Sequence, residues 1–221
     1  MRRIVGCVFQ TLDGVMQAPG GPTEDPTGGF RFGGWQFAYP DKVAEAEIER
    51  QCAPPFAMLL GRRTYDIFAS YWPYVEGEEA ALGALFTQSE KFVLTRGGGP
   101  LEWENSHALA DIEAVRALRN GDGPELRIWG SSTLYPSLLA ANLLDRLILI
   151  TYPLVLGDGK RVFGDGTPPG TFATQSHVVG PGNVSVAILE PAGEIRPGSS
   201  PAAPPNARET KRQQEIAEGT W

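Results

Sequence analysis

Two short stretches of this chain share one local grammar. Ala57-Met58-Leu59-Leu60 runs into Gly61 and then Arg62-Arg63-Thr64-Tyr65; Leu126-Arg127-Ile128-Trp129 runs into Gly130 and then Ser131-Ser132-Thr133-Leu134. Each is an apolar strand-like run that turns through glycine and polar donors into a helix-like segment. Such a corner aims free backbone N–H groups and the positive end of the helix dipole at one point. That is an anion site, most often for phosphate. Two of them in one domain suggest a ligand with several phosphates, such as a dinucleotide.

The segments around the corners alternate in the same way. Strands are expected at Ile4–Gln10, Phe56–Leu60, Lys91–Thr95, Glu125–Trp129 and Arg146–Pro153, and helices at Asp41–Cys52, Arg62–Ala69, Glu78–Gln88, Asp111–Asn120 and Ser132–Ala141. The strand runs are near-continuously apolar, as buried parallel strands are. Ile112, Val115 and Leu118 share one helix face, and Asp41 suits an N-cap. Alternation of this kind predicts a mostly parallel sheet with helices on both faces. Two last strands, near Thr171–Val178 and Asn183–Glu190, have only Pro181-Gly182 between them and should pair as an antiparallel edge hairpin.

Two segments break the pattern. Val15 to about Pro40 is rich in Gly, Pro and aromatic residues and has no period, which predicts a lid or binding loop. From Pro191 the composition turns to Pro, Gly, Ser and Ala, followed by a polar helix-like stretch at Arg208–Glu218. This divides the chain into a domain at 1–190 and a tail at 191–221 that is either mobile or docks on a partner subunit.

A net charge of -7 over 221 residues argues against a nucleic-acid or anionic-membrane surface, although a local arginine cluster can still hold an anionic ligand. Cys7 and Cys52 have no CxxC spacing and suit free thiols in a reducing compartment. The apolar run after Met1-Arg2-Arg3 breaks at Gln10-Thr11-Leu12-Asp13-Gly14 and reads as a strand, not a signal peptide. No stretch approaches a membrane-spanning length, so a cytoplasmic location is expected. His107 and His177 lie in unrelated segments without ligand spacing, and no metal is expected.

Candidate chemistry gathers at the strand ends, where open α/β sheets bind ligands. Arg62 and Arg63 can make forked, charge-assisted bonds to phosphate. Ser131, Ser132 and Thr133 add hydroxyls, or serve only as an ordinary helix cap. Thr95 and Arg96 put a hydroxyl and a cation beside the same sheet edge. Trp35, Phe37 and Tyr39 either stack on a planar ring or plug the core. The Glu45/Glu47/Glu49 run is either a solvated helix face or a source of a functional carboxylate.

In order along the chain, Thr11-Leu12-Asp13-Gly14, Leu60-Gly61-Arg62-Arg63-Thr64-Tyr65, Val93-Leu94-Thr95-Arg96 and Ile128-Trp129-Gly130-Ser131-Ser132-Thr133-Leu134 form one specific pattern, extended by Leu144-Asp145-Arg146 and Pro153-Leu154-Val155-Leu156-Gly157-Asp158-Gly159. Over about residues 3–190 the chain resembles the dihydrofolate reductase superfamily. Within it, the chain looks most like bacterial dihydrofolate reductase-like proteins related to the C-terminal reductase domain of bifunctional riboflavin-biosynthesis enzymes. The resemblance implies a dihydrofolate reductase-like fold, a homodimer, and an NADPH-dependent reductase of a small heteroaromatic, pterin- or pyrimidine-like substrate. It places the cofactor phosphates on Gly61, Arg62, Arg63 and Thr64, the 2′-phosphate on Thr95 and Arg96, and the pyrophosphate on Gly130, Ser131, Ser132 and Thr133. Trp35, Phe37 and Tyr39 are the expected substrate contacts, and Asp13 and Glu45 the expected catalytic carboxylates.

The chain departs from the pattern at three places. The second corner has Gly130-Ser131 where dihydrofolate reductases usually have Gly-Gly. Val15 and Trp129 stand where riboflavin reductases often carry Lys and Glu. A non-catalytic nucleotide- or ligand-binding protein on a retained reductase fold is therefore the alternative function.

Overall fold

The computed structural model describes residues 1–97, 99–198 and 204–221. Gly98 of the triple glycine and residues 199–203 of the expected linker lie outside the described residues. The elements are β1 (Ile4–Thr11), α1 (Lys42–Cys52), β2 (Phe56–Gly61), α2 (Arg62–Tyr71), α3 (Ala80–Gln88), β3 (Lys91–Leu94), β4 (Ser106–Leu109), α4 (Ile112–Asn120), β5 (Glu125–Ile128), α5 (Leu134–Ala140), β6 (Arg146–Tyr152), β7 (Thr171–Val179), β8 (Ser185–Gly193) and α6 (Ala207–Ala217). The strands form one sheet in the order β4-β3-β2-β5-β1-β6-β8-β7. All ladders from β4 to β6 are parallel, and β8 pairs antiparallel with both β6 and β7. The mostly parallel sheet and its antiparallel C-terminal hairpin are those expected from the alternation of segments.

Period-two alternation divides the strand side chains between two faces. Ile4, Val8, Ala57, Leu59, Leu126 and Ile128 pack with Val115 of α4 and with Leu134, Tyr135 and Leu138 of α5. On the other face, Val5 and Cys7 meet Ala44 of α1, while Phe56, Met58 and Leu60 meet Tyr65 of α2 and Phe86 of α3. Helices therefore cover both faces, and all six residues of β2 are buried.

Several ends differ from the sequence expectation. β4 was not expected: it is four residues long and its middle two, His107 and Ala108, are exposed, so no burial period marks it. α5 starts at Leu134, not Ser132, because the preceding residues form the second corner. β8 continues through Pro191 to Gly193, past the compositional break. Within the expected helix of glutamates, Glu47 is buried, accepting from Gln51 Nε2 at 2.8 Å and pairing with Arg50 at 3.1 Å, while Glu45 is exposed.

Two charged residues set the helix ends. Asp41 caps α1 by accepting from the N–H groups of Val43 and Ala44, and its second oxygen accepts from Gly182 N at 2.6 Å, tying α1 to the β7–β8 turn. Lys91, wholly buried at the start of β3, donates to the carbonyls of Phe86, Thr87 and Ser89 at 2.8, 2.9 and 2.7 Å. The partial negative charge of the helix C-terminus acts in favour of a cation there, while burial acts against it. The same ammonium lies 4.3 Å from the Trp103 ring centroid, a cation–π distance.

Candidate active site

β2 and β5 are adjacent and parallel, with Ala57 beside Leu126 and Met58 beside Arg127. Their two glycine corners therefore meet. A Cβ on Gly61 would stand 2.3 Å from Ser131 Oγ, and one on Gly130 would stand 2.6 Å from Thr64 Oγ1. Each glycine thus leaves the space that the other corner's hydroxyl fills. The two hydroxyls lie 2.9 Å apart, within hydrogen-bond distance. Neither helix start has a side-chain cap: Gly61 precedes α2, and Thr133 makes no cap bond at α5. The Ser/Thr cluster of the second corner is accordingly not an ordinary N-cap.

A cleft of about 830 Å³ crosses the carboxyl ends of the strands. Gly61, Arg62, Arg63, Thr64, Thr95, Arg96, Gly130, Ser131, Ser132 and Thr133 all line it. Leu94 at the end of β3, Thr95 and Arg96 after it and Ala110 after β4 mark one end, and Met16 to Pro19, after β1, the other. Between them lie the two corners and the apolar side chains of Ile67, Phe68 and Trp129. Pockets of about 300–1,000 Å³ with an apolar lining and a few placed polar groups are the usual form of a small-molecule site.

The cations of the cleft differ in what they already hold. Arg62 donates from Nε to Asp66 Oδ1 at 2.8 Å and from Nη1 to the Gly99 carbonyl at 2.7 Å. Arg63 donates to Thr27 Oγ1 at 2.7 Å and lies 3.7 Å from Asp25. Arg96 is exposed at the rim, and the neighbouring Thr95 donates its hydroxyl to the Gly97 carbonyl at 2.8 Å.

The other expected site residues lie outside this lining. Asp13 shapes the turn after β1: its carboxylate accepts from Thr11 Oγ1 at 2.5 Å, Leu156 N at 3.2 Å and Gly157 N at 2.9 Å. Burial acts to raise its pKa, but these hydrogen bonds outweigh it and the net direction is down. Glu45 stands exposed in the first turn of α1. Trp35 belongs to the core, edge-on to Tyr152 at 5.2 Å, with its indole N–H donating to the Gln17 carbonyl at 2.9 Å. Tyr39 packs half-buried against the same cluster, and Phe37 is 70% exposed.

Sequence reasoning missed Glu24, Asp25 and Lys160, which also line the cleft. Burial pushes the Glu24 carboxyl up, reinforced by Asp25 and opposed by the N–H groups of Gly20 and Gly21. Asp25 goes the other way: burial opposes, but Lys160 and Thr27 hold its carboxylate low. Only composition offers a signal for Lys160, which is one of 4 lysines in a chain with 15 arginines.

A mostly parallel sheet, helices on both faces and an antiparallel C-terminal hairpin together define a dihydrofolate reductase-like fold. The chain belongs to the family of the RibD C-terminal domain, whose family model matches residues 2–184. Bacillus subtilis (strain 168) YyaP, itself uncharacterised, is 26% identical over 171 residues, covering 74% of this chain and 81% of that protein. Among solved structures, a putative riboflavin biosynthesis protein from Shewanella sp. PV-4 superposes with a TM-score of 0.62 at 18% identity, covering 86% of this chain and 99% of that one. A pyrimidine reductase-like protein from Corynebacterium diphtheriae gives 0.56 at 12% identity, covering 87% and 93%. Dihydrofolate reductase from Enterococcus faecalis gives 0.51 at 14% identity, covering 86% and 96%. Family and fold are those of reductases. Among the described residues no helix is long and apolar enough to cross a membrane.

Proposed function

We propose that this protein is an NADPH-dependent reductase acting on a small pterin- or pyrimidine-like ring. The observation that carries this reading is the convergence of all ten expected cofactor residues on one cleft. The donor set suits a dinucleotide: a guanidinium and a hydroxyl at one end, paired glycine corners with hydroxyls in the middle, and an aromatic wall toward the loop. The Enterococcus faecalis relative was solved with NADP(H), and the Corynebacterium diphtheriae relative is described as pyrimidine reductase-like, which supports both halves of the proposal.

When bound, the nicotinamide supplies a hydride. This chain's own residues bind, orient and exclude water. Thr95 and Arg96 would hold the 2′-phosphate, and Thr64, Ser131, Ser132 and Thr133 would hold the pyrophosphate beside the two glycines. Phe68, Trp129 and Met16–Pro19, at the other end of the cleft, would then face the reacting ring, and the loop after β1 would shield it from solvent. Glu24 is the carboxyl at that end with a raised pKa, and it takes the role of proton source in this reading. Asp13 organises the turn beneath the loop. A homodimer belongs to the same proposal: among the described residues β7 is an edge strand of the sheet, exposing Val178 and Val179 at 49% and 61%, and sedimentation would show it.

Arg96→Ala tests the cofactor assignment. A charge-assisted hydrogen bond is worth about 1.5–3 kcal/mol, so NADPH affinity should fall about tenfold or more, with NADH affinity nearly unchanged. Equal loss for the two cofactors overturns the 2′-phosphate assignment. NADPH binding without oxidation across a panel of dihydropterins and aminopyrimidines would establish a non-catalytic binding protein instead.

A further inference from the structure

Three of the contacts that join the loop between β1 and α1 to the rest of the cleft meet at one atom. Thr27 Oγ1 donates to Asp25 Oδ1 at 2.5 Å, accepts from Arg63 Nη1 at 2.7 Å and accepts from Lys160 Nζ at 2.8 Å. A hydroxyl has one hydrogen and two lone pairs, so these three partners saturate it. The partners come from three separate parts of the chain: the loop itself, the first turn of α2, and the segment after β6. Asp25, only 8% exposed, also pairs with Lys160 and lies 3.7 Å from Arg63, so one carboxylate faces both cations.

Gln17 completes the frame. Its amide nitrogen donates to the carbonyls of Asp25 and Thr27, both at 2.9 Å, and its amide oxygen accepts from Lys160 N at 3.0 Å. Met16 N donates to the Lys160 carbonyl at 2.8 Å. Gln17, Asp25, Arg63 and Lys160 all line the cleft, whereas Thr27 lies outside the lining and is exposed.

We infer that Thr27 is a positioning residue: through Arg63 and Lys160 it fastens the loop across the cleft and sets where the Arg63 guanidinium stands. The inference rests on the cofactor-site reading given above. Arg63 follows the first glycine corner directly, yet its Nη1 faces Thr27 and Asp25 of the loop. An anion held by Arg63 shares its guanidinium with Thr27 and Asp25, so the loop's hold and the anion's hold are coupled through one side chain.

The test compares Thr27→Val and Thr27→Ser. Amide hydrogen exchange is measured over residues 15–30 in the ligand-free protein, and NADPH binding is followed by tryptophan fluorescence. Thr27→Val should speed exchange in that segment at least tenfold and weaken NADPH at least threefold through faster dissociation, with the melting midpoint of the whole domain unchanged. Thr27→Ser keeps the hydroxyl and should restore both. Lys160→Met removes another donor to the same oxygen and should speed exchange in the same segment. Wild-type exchange rates in Thr27→Val, or no rescue by Thr27→Ser, overturn the inference. The two readouts separate it from the cofactor assignment. If NADPH does not bind the wild-type protein, that assignment falls and the exchange data alone decide the role of Thr27. If NADPH binds normally to every variant and exchange is unaltered, the role of Thr27 falls and the cofactor assignment stands.

Discussion

The hydroxyls of Thr64 and Ser131 lie 2.9 Å apart, each over the glycine of the opposite corner. One hydrogen lies between the two oxygens, and the other remains for a neighbour in the cleft. The residue that departs from the Gly-Gly pattern of dihydrofolate reductases is thus one of the two that lock the corners together.

That packing predicts a rescue. Gly61→Ala sets a methyl group against Ser131 Oγ and Cβ, at 2.3 and 2.8 Å before relaxation. Overpacking of this kind costs about 1–3 kcal/mol. Ser131→Gly removes both opposing atoms, so the double variant should recover most of the loss. Urea denaturation of the four proteins of the cycle measures the coupling. Additive losses would show that the corners do not touch.

Lys91 gives stability an alkaline rise. Burial pushes its ammonium down to about 8, against the opposite pull of Glu90 and Glu104. In the unfolded chain a lysine titrates near its ordinary value, so between pH 8 and about 10.4 the unfolded state binds more protons than the folded one. This group's contribution therefore becomes more favourable as pH rises through that window. Lys91→Met should lower stability at pH 7, because three carbonyls at the end of α3 lose their donor, and should flatten the slope above pH 8. Denaturation midpoints from pH 7 to 10 check both effects.

Tyr152 acts with the opposite sign. Burial first, then the neighbouring Cys7 and the carboxylates of Asp41 and Glu45, push its phenol up to about 12. The unfolded chain releases this proton near pH 10 while the folded one keeps it. The stability held below pH 10 is therefore lost between pH 10 and 12. Tyr152→Phe should be less sensitive over that range than the wild type, as followed by circular dichroism.

Asp13 should prove structural. Its folded pKa is below the unfolded value, so the carboxylate stabilises the protein above that value and ceases to do so as pH falls through the folded one. Asp13→Asn should lower the denaturation midpoint at pH 7, with the gap from wild type closing toward pH 3. A proton donor would instead change the pH profile of turnover and leave the midpoint alone.

The sheet and both corners could be read from the residues because their signals are local. β2 is apolar throughout since both of its faces are buried, and the two glycine corners are contiguous in sequence. β4 could not be found that way, because an exposed four-residue strand beside a short loop has no hydrophobic period. The junction at Thr27 was also hidden: Lys160 and Asp25 are 135 residues apart, and only the folded chain brings them together. Trp35 illustrates the limit for aromatic residues. Stacking on a ligand and plugging a core ask for the same side chain, and only its contact with Tyr152 and its bond to Gln17 show where it went.

The sheet order carries a consequence for synthesis. β1 is paired with β5 on one side and β6 on the other, from Val5 beside Arg146 to Thr11 beside Tyr152. On the ribosome the first strand made must therefore wait, apolar and unpaired, until β5 has emerged at about residue 128, and its other edge stays open until about residue 152. Contacts so distant along the chain slow folding, and an unpaired strand is open to association in the meantime. A nascent chain of this protein should thus depend on holding chaperones until β6 is complete, and slower translation upstream of β6 should prolong that exposure.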